Sequence, residues 1–396
     1  TGGPVRGATK QGYRDDSDWA RGQAWGIYGM ALSYRYEPLP DYRDAFDLQL
    51  GSISHRSAQF RKIYQHTVEQ LRTLMNIPES SGIFFTGSAT EIWERIIQNT
   101  VEFESFHLVN GSFSKKFYDF SGELGKFAHK YEKPFGEGFD YAEIEVPQYS
   151  ELICTTANET SSGVQMRPSE IHKLKRGNKD KFVAVDMVSS APYPDLDFEL
   201  IDTAFFSVQK SFGMPAGLGC WIANQSMLDK AKSLKKNDGI IGTYHTLPSL
   251  WKNFEKFETP ETPNVMGIYV LGKVAEDMNK IGIETIRKET ERKAKMLYDF
   301  ATKCDYLDIF VQNPEHRSQT VVVVNTVGKS AADIIDTVKT SENMVIGSGK
   351  HTTFLGLKNT IFVYTESANL ILQKEQSQDV KYVYNQLEKE NSQLLQ

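Results

Sequence analysis

One lysine of this chain stands between an apolar strand and a glycine-rich turn. Residues 202–208 predict the strand, Lys210 follows it, and the turn runs to Gly219. Asp186 closes the preceding apolar strand, residues 181–185. A lysine amine attacks carbonyl groups once it has lost its proton, and a nearby acid can hold a proton on a ring nitrogen. Lys210 and Asp186 are therefore the predicted catalytic residues of a covalent cofactor site.

A second group of residues precedes Lys210 on a predicted strand–turn–helix unit. Residues 82–86 form the strand, and Ser88 with Glu91 gives a capping box that opens the helix. The turn between them consists of Gly87, Ser88, Ala89 and Thr90. Free backbone N–H groups and the helix dipole at such a turn favour a phosphate group. An ordinary capping turn is the alternative interpretation.

The composition is that of a globular protein without a charged binding surface. The chain has 396 residues, of which 40% are hydrophobic and 24% charged, and its net charge is −6. This balance argues against nucleic acid as a partner, and no apolar run is long enough to span a membrane. Three scattered cysteines, with no histidine or cysteine pairs at metal-ligand spacing, predict a reducing, cytoplasmic setting and no metal site.

Strand and helix patterns alternate from about residue 54, which predicts an α/β fold with a mostly parallel sheet. Ser54 is expected to cap the first helix, which would run to about Asn76. After Pro260 the pattern changes to helices at 264–280, 283–303, 331–340 and 376–395, with a few short strands between them. We therefore expect a large domain at residues 37–258 and a smaller α+β domain at residues 259–396.

The order strand–Asp186, strand–Gln209–Lys210 and glycine-rich turn resembles the class V aminotransferases, especially their phosphoserine aminotransferase branch. The resemblance implies fold type I, with a seven-stranded-type sheet, and pyridoxal 5′-phosphate (PLP) bound to Lys210. Thr160, in Asn158-Glu159-Thr160, matches the residue that contacts the ring hydroxyl of the cofactor. Phe113 matches the aromatic residue stacked on the ring, where tryptophan is usual.

Further matches imply substrate and dimer contacts. His55 and Arg56 correspond to residues of the branch that bind the distal anionic group of the substrate. Thr259 corresponds to a residue that reaches the cofactor phosphate of a partner subunit. A surface cluster at a helix start and an interdomain linker are the alternative interpretations of these two segments. The resemblance also implies a homodimer.

One expected arginine is missing. The family keeps an arginine near its C-terminus to bind the α-carboxylate of the substrate, but Phe362 stands there. No arginine follows Phe362, and Lys350 or Lys358 could replace it only as a point charge. There are three explanations: the alignment with the family is shifted at this point, the substrate carboxylate is bound by other groups, or the activity is low.

Residues 1–36 are similar to a fragment of an unsaturated glucuronyl hydrolase. Gln11, Arg21 and Trp25 match uronate-binding positions of that family, and the match ends near Tyr36. So short a segment cannot build the barrel of such an enzyme. We interpret it as a foreign segment, joined either by fusion of unrelated genes or by an error of sequence assembly.

The sequence therefore predicts a PLP-dependent aminotransferase acting on an amino acid and a 2-oxo acid, closest to phosphoserine:2-oxoglutarate aminotransferase. An alanine–glyoxylate-type aminotransferase and a catalytically impaired PLP-binding homologue are the main alternatives. A cysteine desulfurase is disfavoured because Cys154 and Cys220 fall in predicted strands. A glycosidase would need the barrel that residues 1–36 lack.

Overall fold

The computed structural model describes residue 50, residues 53–328, and the backbone of two strands at residues 360–364 and 369–373. The glucuronyl hydrolase-like segment and the helices expected at 331–340 and 376–395 lie outside the described residues. No helix in the described ranges combines the length and apolar character that crossing a membrane requires.

A seven-stranded sheet in the order β1-β9-β8-β7-β4-β2-β3 is the centre of the fold. Six strands run parallel, and β9 is antiparallel to both of its neighbours. The strands are β1 (Gly82–Thr86), β2 (Glu104–Val109), β3 (Phe127–Glu132), β4 (Leu152–Thr156), β7 (Phe182–Asp186), β8 (Thr203–Ser207) and β9 (Gly219–Ala223). This sheet confirms the predicted fold class, including the antiparallel strand after the glycine-rich turn.

Three antiparallel pairs lie outside the main sheet. They are β5 (Asn158–Glu159) with β6 (Val164–Gln165), β10 (Leu307–Ile309) with β11 (Val324–Thr326), and β12 (Thr360–Tyr364) with β13 (Asn369–Gln373). The first pair matters for the site because it follows β4 directly and turns the chain back beside the sheet edge.

Eight helices are described. They are α1 (Ala58–Met75), α2 (Ala89–Thr100), α3 (Ser112–Glu123), α4 (Pro168–Gly177), α5 (Gln225–Lys236), α6 (Leu247–Phe254), α7 (Val265–Ile281) and α8 (Ile283–Lys303). The prediction that Ser54 caps α1 is wrong. Ser57 is the N-cap, and its hydroxyl accepts a hydrogen bond from the N–H of Phe60. Helix α1 therefore begins three residues later than expected, because the capping oxygen must lie within one turn of the N–H groups it accepts from.

Helices cover both faces of the sheet. In β8, Phe206 belongs to a core shared with α1 and α7, whereas Phe205 belongs to a second core shared with α2 and α5. Successive strand residues point to opposite faces, so a strand buried on both sides reads as a continuous apolar run. Because both faces of the sheet are covered by helices, polar side chains can come together only at the ends of the strands.

The carboxyl ends of the parallel strands meet at one edge of the sheet. Thr86 ends β1, Thr156 ends β4, Asp186 ends β7 and Ser207 ends β8. Ligands of open α/β sheets bind at this edge. The predicted catalytic residues Asp186 and Lys210 therefore belong to the edge where a cofactor is expected.

Candidate active site

A cavity at this edge brings together eight of the residues predicted from sequence. They are Ser88, Ala89, Thr90, Phe113, Thr160, Asp186, Gln209 and Lys210. Trp93, Thr156, Asn158, Val188 and Ser207 complete the lining. The cavity thus contains one amine, one carboxylate, one helix start and two aromatic side chains.

Asp186 is the buried acid of the cavity, with 3% of its surface exposed. Its Oδ1 accepts a hydrogen bond of 2.9 Å from the N–H of Val188, and its Oδ2 accepts one of 3.0 Å from the indole N–H of Trp93. Burial raises the pKa of Asp186 to about 7, although both hydrogen bonds act to lower it. Asp186 can therefore hold a proton, or share one with a ring nitrogen, near neutral pH.

Lys210 follows β8 in a turn closed by a hydrogen bond from the N–H of Gly213 to the Lys210 carbonyl oxygen. Burial lowers the pKa of the Lys210 amine, and the charge of Asp186 only partly opposes this. An amine that loses its proton more readily is a better nucleophile and proton carrier. Lys210 and Asp186 act on each other electrostatically, because each contributes to the pKa of the other.

The start of α2 forms the third part of the site. Ser88 is the N-cap, and its hydroxyl accepts a hydrogen bond of 3.2 Å from the N–H of Glu91. The Glu91 carboxylate returns to the N–H of Gly87, at 3.1 Å, rather than to Ser88 as a standard capping box would. The Gly87 N–H is therefore occupied by this carboxylate, and Gly87 does not line the cavity. The residues that face the cavity are Ser88, Ala89 and Thr90.

The turn before α2 packs directly on β9. A Cβ atom at Gly219 would lie 2.6 Å from the Ser88 carbonyl carbon and 2.6 Å from the Thr86 hydroxyl oxygen. Only glycine allows this approach, since real Cβ contacts are never so short. Gly219 therefore permits the glycine-rich turn after Lys210 and the turn before α2 to share one edge of the sheet.

Phe113 and Thr160 face the cavity from two separate segments. Phe113 is the second residue of α3, and Thr160 follows β5 in the turn toward β6. The buried carboxylate of Glu159 joins the segments, because it accepts hydrogen bonds from the N–H groups of both Ser114 and Ser161. An aromatic face and a hydroxyl group are thereby held at one cavity.

Besides Gly87, three predicted residues lie outside this cavity. Thr259 is buried and donates a hydrogen bond of 2.7 Å to the carbonyl oxygen of Glu261 in its own chain. Arg56 is exposed and pairs with Glu258 at 2.9 Å. His55 beside it is half-buried, and burial, followed by the Arg56 charge, lowers its pKa. His55, Arg56 and Thr259 thus form a neighbouring group around Glu258 and Glu261.

Sequence reasoning missed Trp93 and Asn158. Trp93 lies four residues after Ala89, so both fall on one face of α2, and that spacing was a usable signal. Asn158 lies within the motif that supplied Thr160. Within residues 53–328, the Oδ1 atom of Asn158 is buried without a hydrogen-bond partner. A buried polar atom left in this way is typical of a site that a ligand completes.

This set of groups fits PLP. Lys210 offers the amine, Asp186 the acid for the pyridine nitrogen, and the α2 start an anion site. The aromatic ring of Phe113 and the hydroxyl of Thr160 suit the ring and its hydroxyl group. Among the described residues, no group of histidine, cysteine, aspartate and glutamate side chains could hold a metal ion. The chemistry of the cavity is that of amine and proton transfer.

Comparison with known proteins gives the same assignment. The sequence profile of the family "Aminotransferase class-V" matches residues 140–369. The phosphoserine aminotransferase of Rhodococcus opacus is 25% identical over 274 residues, or 69% of this chain and 72% of the relative. That of Corynebacterium glutamicum is 27% identical over 279 residues, with 69% and 72% covered.

Solved structures extend the match. A phosphoserine aminotransferase from Cytophaga hutchinsonii is 47% identical, with a TM-score of 0.75, over 78% of this chain and 85% of that one. The alanine–glyoxylate aminotransferase of Nostoc is 18% identical, with a TM-score of 0.67, over 76% and 80%. The latter likeness shows the fold alone. The profile match covers more than half of the chain, and the chain belongs to the class V aminotransferase family, whose members are generally PLP-dependent.

Proposed function

We propose that this protein is a PLP-dependent aminotransferase that takes the amino group of L-phosphoserine and passes it to 2-oxoglutarate. One observation carries the reaction type. Lys210 and the buried Asp186 share a cavity at the carboxyl edge of the sheet, beside the N-terminus of α2. The identity of 47% to the Cytophaga hutchinsonii phosphoserine aminotransferase supports the substrate.

Bound PLP would supply an electron sink for the carbon that carries the amino group. Lys210 is the residue that transfers protons. Because burial lowers its pKa, the amine releases a proton more readily than a solvated lysine does and can accept one again. Asp186 provides a carboxylate at the pyridine nitrogen, where a positive charge would be favoured. With a pKa of about 7, it is poised to share that proton.

The remaining residues bind and orient. The first turn of α2, at Ser88, Ala89 and Thr90, would hold the cofactor phosphate through backbone N–H groups and the helix dipole. Phe113 would cover one face of the ring, and Thr160 would contact the ring hydroxyl. Gln209, which precedes Lys210 and lines the cavity, would contact the phosphate side.

We assign the substrate phosphate to His55 and Arg56, acting in a homodimer. A guanidinium binds a phosphate through two parallel hydrogen bonds, which suits Arg56. Thr259, which lies outside its own cavity, would serve the cofactor phosphate of the partner subunit. The three free cysteines support a reducing, cytoplasmic location.

Absorbance of the full-length protein with PLP tests this function. We expect a visible band from PLP attached to Lys210, and we expect L-phosphoserine to bleach it. Lys210→Ala should lose the band, while the exposed Lys235→Ala on α5 should keep it. A band that persists in Lys210→Ala would contradict the assigned lysine. A wild-type band that responds to L-alanine but not to L-phosphoserine would contradict the substrate.

A second function is favoured by one sequence feature. Phe362 lies in β12, where the family's carboxylate-binding arginine is expected. A protein that binds PLP but turns over slowly would result. The absorbance experiment above distinguishes an active aminotransferase from an impaired one. The impaired protein would show the visible band, but no amino acid would bleach it.

A further inference from the structure

Glu159 carries a carboxylate that is 1% exposed at the end of β5. It accepts five hydrogen bonds. Oε2 accepts from the N–H and the hydroxyl of Ser114, both at 2.8 Å. Oε1 accepts from the N–H and the hydroxyl of Ser161, at 3.0 and 2.7 Å, and from the N–H of Phe113 at 3.4 Å. A buried carboxylate is stable only with such compensation.

The donors come from two segments that are distant in sequence. Phe113 and Ser114 open α3, whereas Ser161 belongs to the turn that also holds Thr160. Space for the carboxylate is made by Gly111, since a Cβ atom there would lie 2.3 Å from Glu159 Cγ. The start of α3 and the β5–β6 turn are thus fastened through one side chain.

We propose that Glu159 is a positioning residue that fixes Phe113 and Thr160 relative to each other across the cofactor ring. This inference rests on the proposed function, in which Phe113 covers the ring face and Thr160 contacts the ring hydroxyl. Glu159 itself does not line the cavity, so it positions these two residues through its neighbours, while its charge also raises the pKa of Asp186. Because Phe113 and Thr160 are held in place before PLP binds, less conformational freedom is lost on binding, and the bound ring keeps one tilt.

The arrangement requires a carboxylate rather than an amide. Each oxygen of Glu159 faces at least one backbone N–H, Ser114 on one side and Ser161 on the other. Serine hydroxyl groups can rotate away, but backbone N–H groups cannot. In Glu159→Gln, either orientation of the amide would direct its NH2 group at a backbone donor. This isosteric change therefore separates the two segments without altering side-chain volume.

Glu151 offers a matched control. Its carboxylate accepts from three backbone N–H groups, those of Glu102, Phe103 and Glu104, at 2.9, 2.7 and 3.3 Å, and also pairs with Lys230 at 2.8 Å. Glu151 precedes β4 at the amino edge of the sheet, opposite the cavity. Glu151→Gln should therefore lower stability in a similar way but leave the cofactor site unchanged.

The test compares full-length wild-type, Glu159→Gln and Glu151→Gln proteins. In cofactor-free protein, hydrogen exchange of the Ser114 amide should accelerate in Glu159→Gln alone. With PLP, all three should attach the cofactor to Lys210, but the visible circular dichroism of Glu159→Gln should fall and its PLP affinity should weaken roughly tenfold. Thermal melting shows that each variant is folded.

Unchanged circular dichroism and unchanged PLP affinity in folded Glu159→Gln would overturn the proposal. If that variant does not fold, Ser161→Ala replaces it, because it removes one of the five donors. Its circular dichroism must then shift in the same direction, and an unchanged spectrum would equally overturn the proposal. Failure of the wild-type protein to attach PLP would instead overturn the proposed function.

Discussion

The indole N–H of Trp93 lies 3.0 Å from Oδ2 of Asp186, and this is the only side-chain hydrogen bond that the described residues give that carboxylate. The N–H of Val188 holds Oδ1. Both donors stabilise the charged form, while burial and the nearby charge of Glu159 oppose them. The charge state of Asp186 thus depends on a residue that is itself part of the α2 packing.

Trp93→Phe should raise the pKa of Asp186 above its value of about 7. The ring remains to pack against Phe117, but the donor to the carboxylate is lost. PLP affinity at pH 7 should weaken roughly tenfold, by loss of the charged acid, and recover partly at higher pH. The measurement is PLP dissociation against pH.

Trp221→Phe is the control for this change. The buried Trp221 also donates one hydrogen bond, to the Thr203 hydroxyl at 2.8 Å, but it lies outside the cavity. Loss of this hydrogen bond should lower the stability of the protein but leave the pH dependence of PLP dissociation unchanged. Identical profiles for Trp93→Phe and wild type would show that the indole N–H does not control Asp186.

The contribution of Asp186 to the stability of the cofactor-free protein should fall as the pH rises from about 4 to about 7. The pKa of Asp186 is raised from 3.8 in the unfolded chain to about 7 in the folded protein, so the folded state binds the extra proton in this window. Asp186→Asn should flatten the pH dependence there. The measurement is the urea midpoint between pH 4 and 7, and an equally steep decline in the variant would contradict the assignment.

His245 should stabilise the protein below pH 6.5 and cease to do so above about pH 9. Burial lowers its pKa, but Glu261 and Glu91 outweigh this and raise the pKa to about 9, so the folded state favours the charged imidazole. Tyr244 and Arg95 are the other titratable neighbours of this cluster. His245→Asn should cost roughly 2–4 kcal/mol at pH 6 and much less at pH 10.

Urea unfolding of cofactor-free protein at pH 6 and pH 10 measures this difference. A loss of equal size at both pH values would mean that His245 contributes packing rather than charge.

Ser88→Ala should weaken both folding and PLP binding. Loss of the N-cap costs about 1 kcal/mol and leaves the first turn of α2, the proposed phosphate site, less ordered. Asn224→Ala removes the equivalent cap of α5, which is remote from the cavity. Both variants should melt earlier, but only Ser88→Ala should show a higher PLP dissociation constant, and equal PLP affinities would argue against the anion site.

Phe362→Arg should increase turnover of L-phosphoserine roughly tenfold if the carboxylate-binding arginine is truly absent, since a bidentate contact is worth about 1.4 kcal/mol or more. Val363→Arg is the control, because it adds the same charge at the adjacent position of β12. Steady-state kcat/KM is the measurement. No gain in Phe362→Arg would show that the substrate is held by other groups.

The sequence predicted those parts of the site that depend on local order. Lys210, Asp186 and the α2 start each follow a strand, and parallel strands bring their ends to one edge. Glu159 was missed because its role depends on donors about 45 residues away in the chain. Trp93 was missed because its hydrogen bond to Asp186 joins residues 93 positions apart in the chain. Ser54 was predicted in place of Ser57 because the capping pattern does not fix a helix start to within one turn.

The close approach of Gly219 to Ser88 has a consequence for how the protein is made. Strand β1 pairs only with β9 in the described sheet. Residues 82–86 therefore cannot join the sheet until residues 219–223 are available to pair with them. Such distant pairing is slow to form. During synthesis, the turn that we propose binds the cofactor phosphate emerges from the ribosome well before β9, which supports it. We therefore expect the cofactor to be captured late, by a chain that has already closed its sheet.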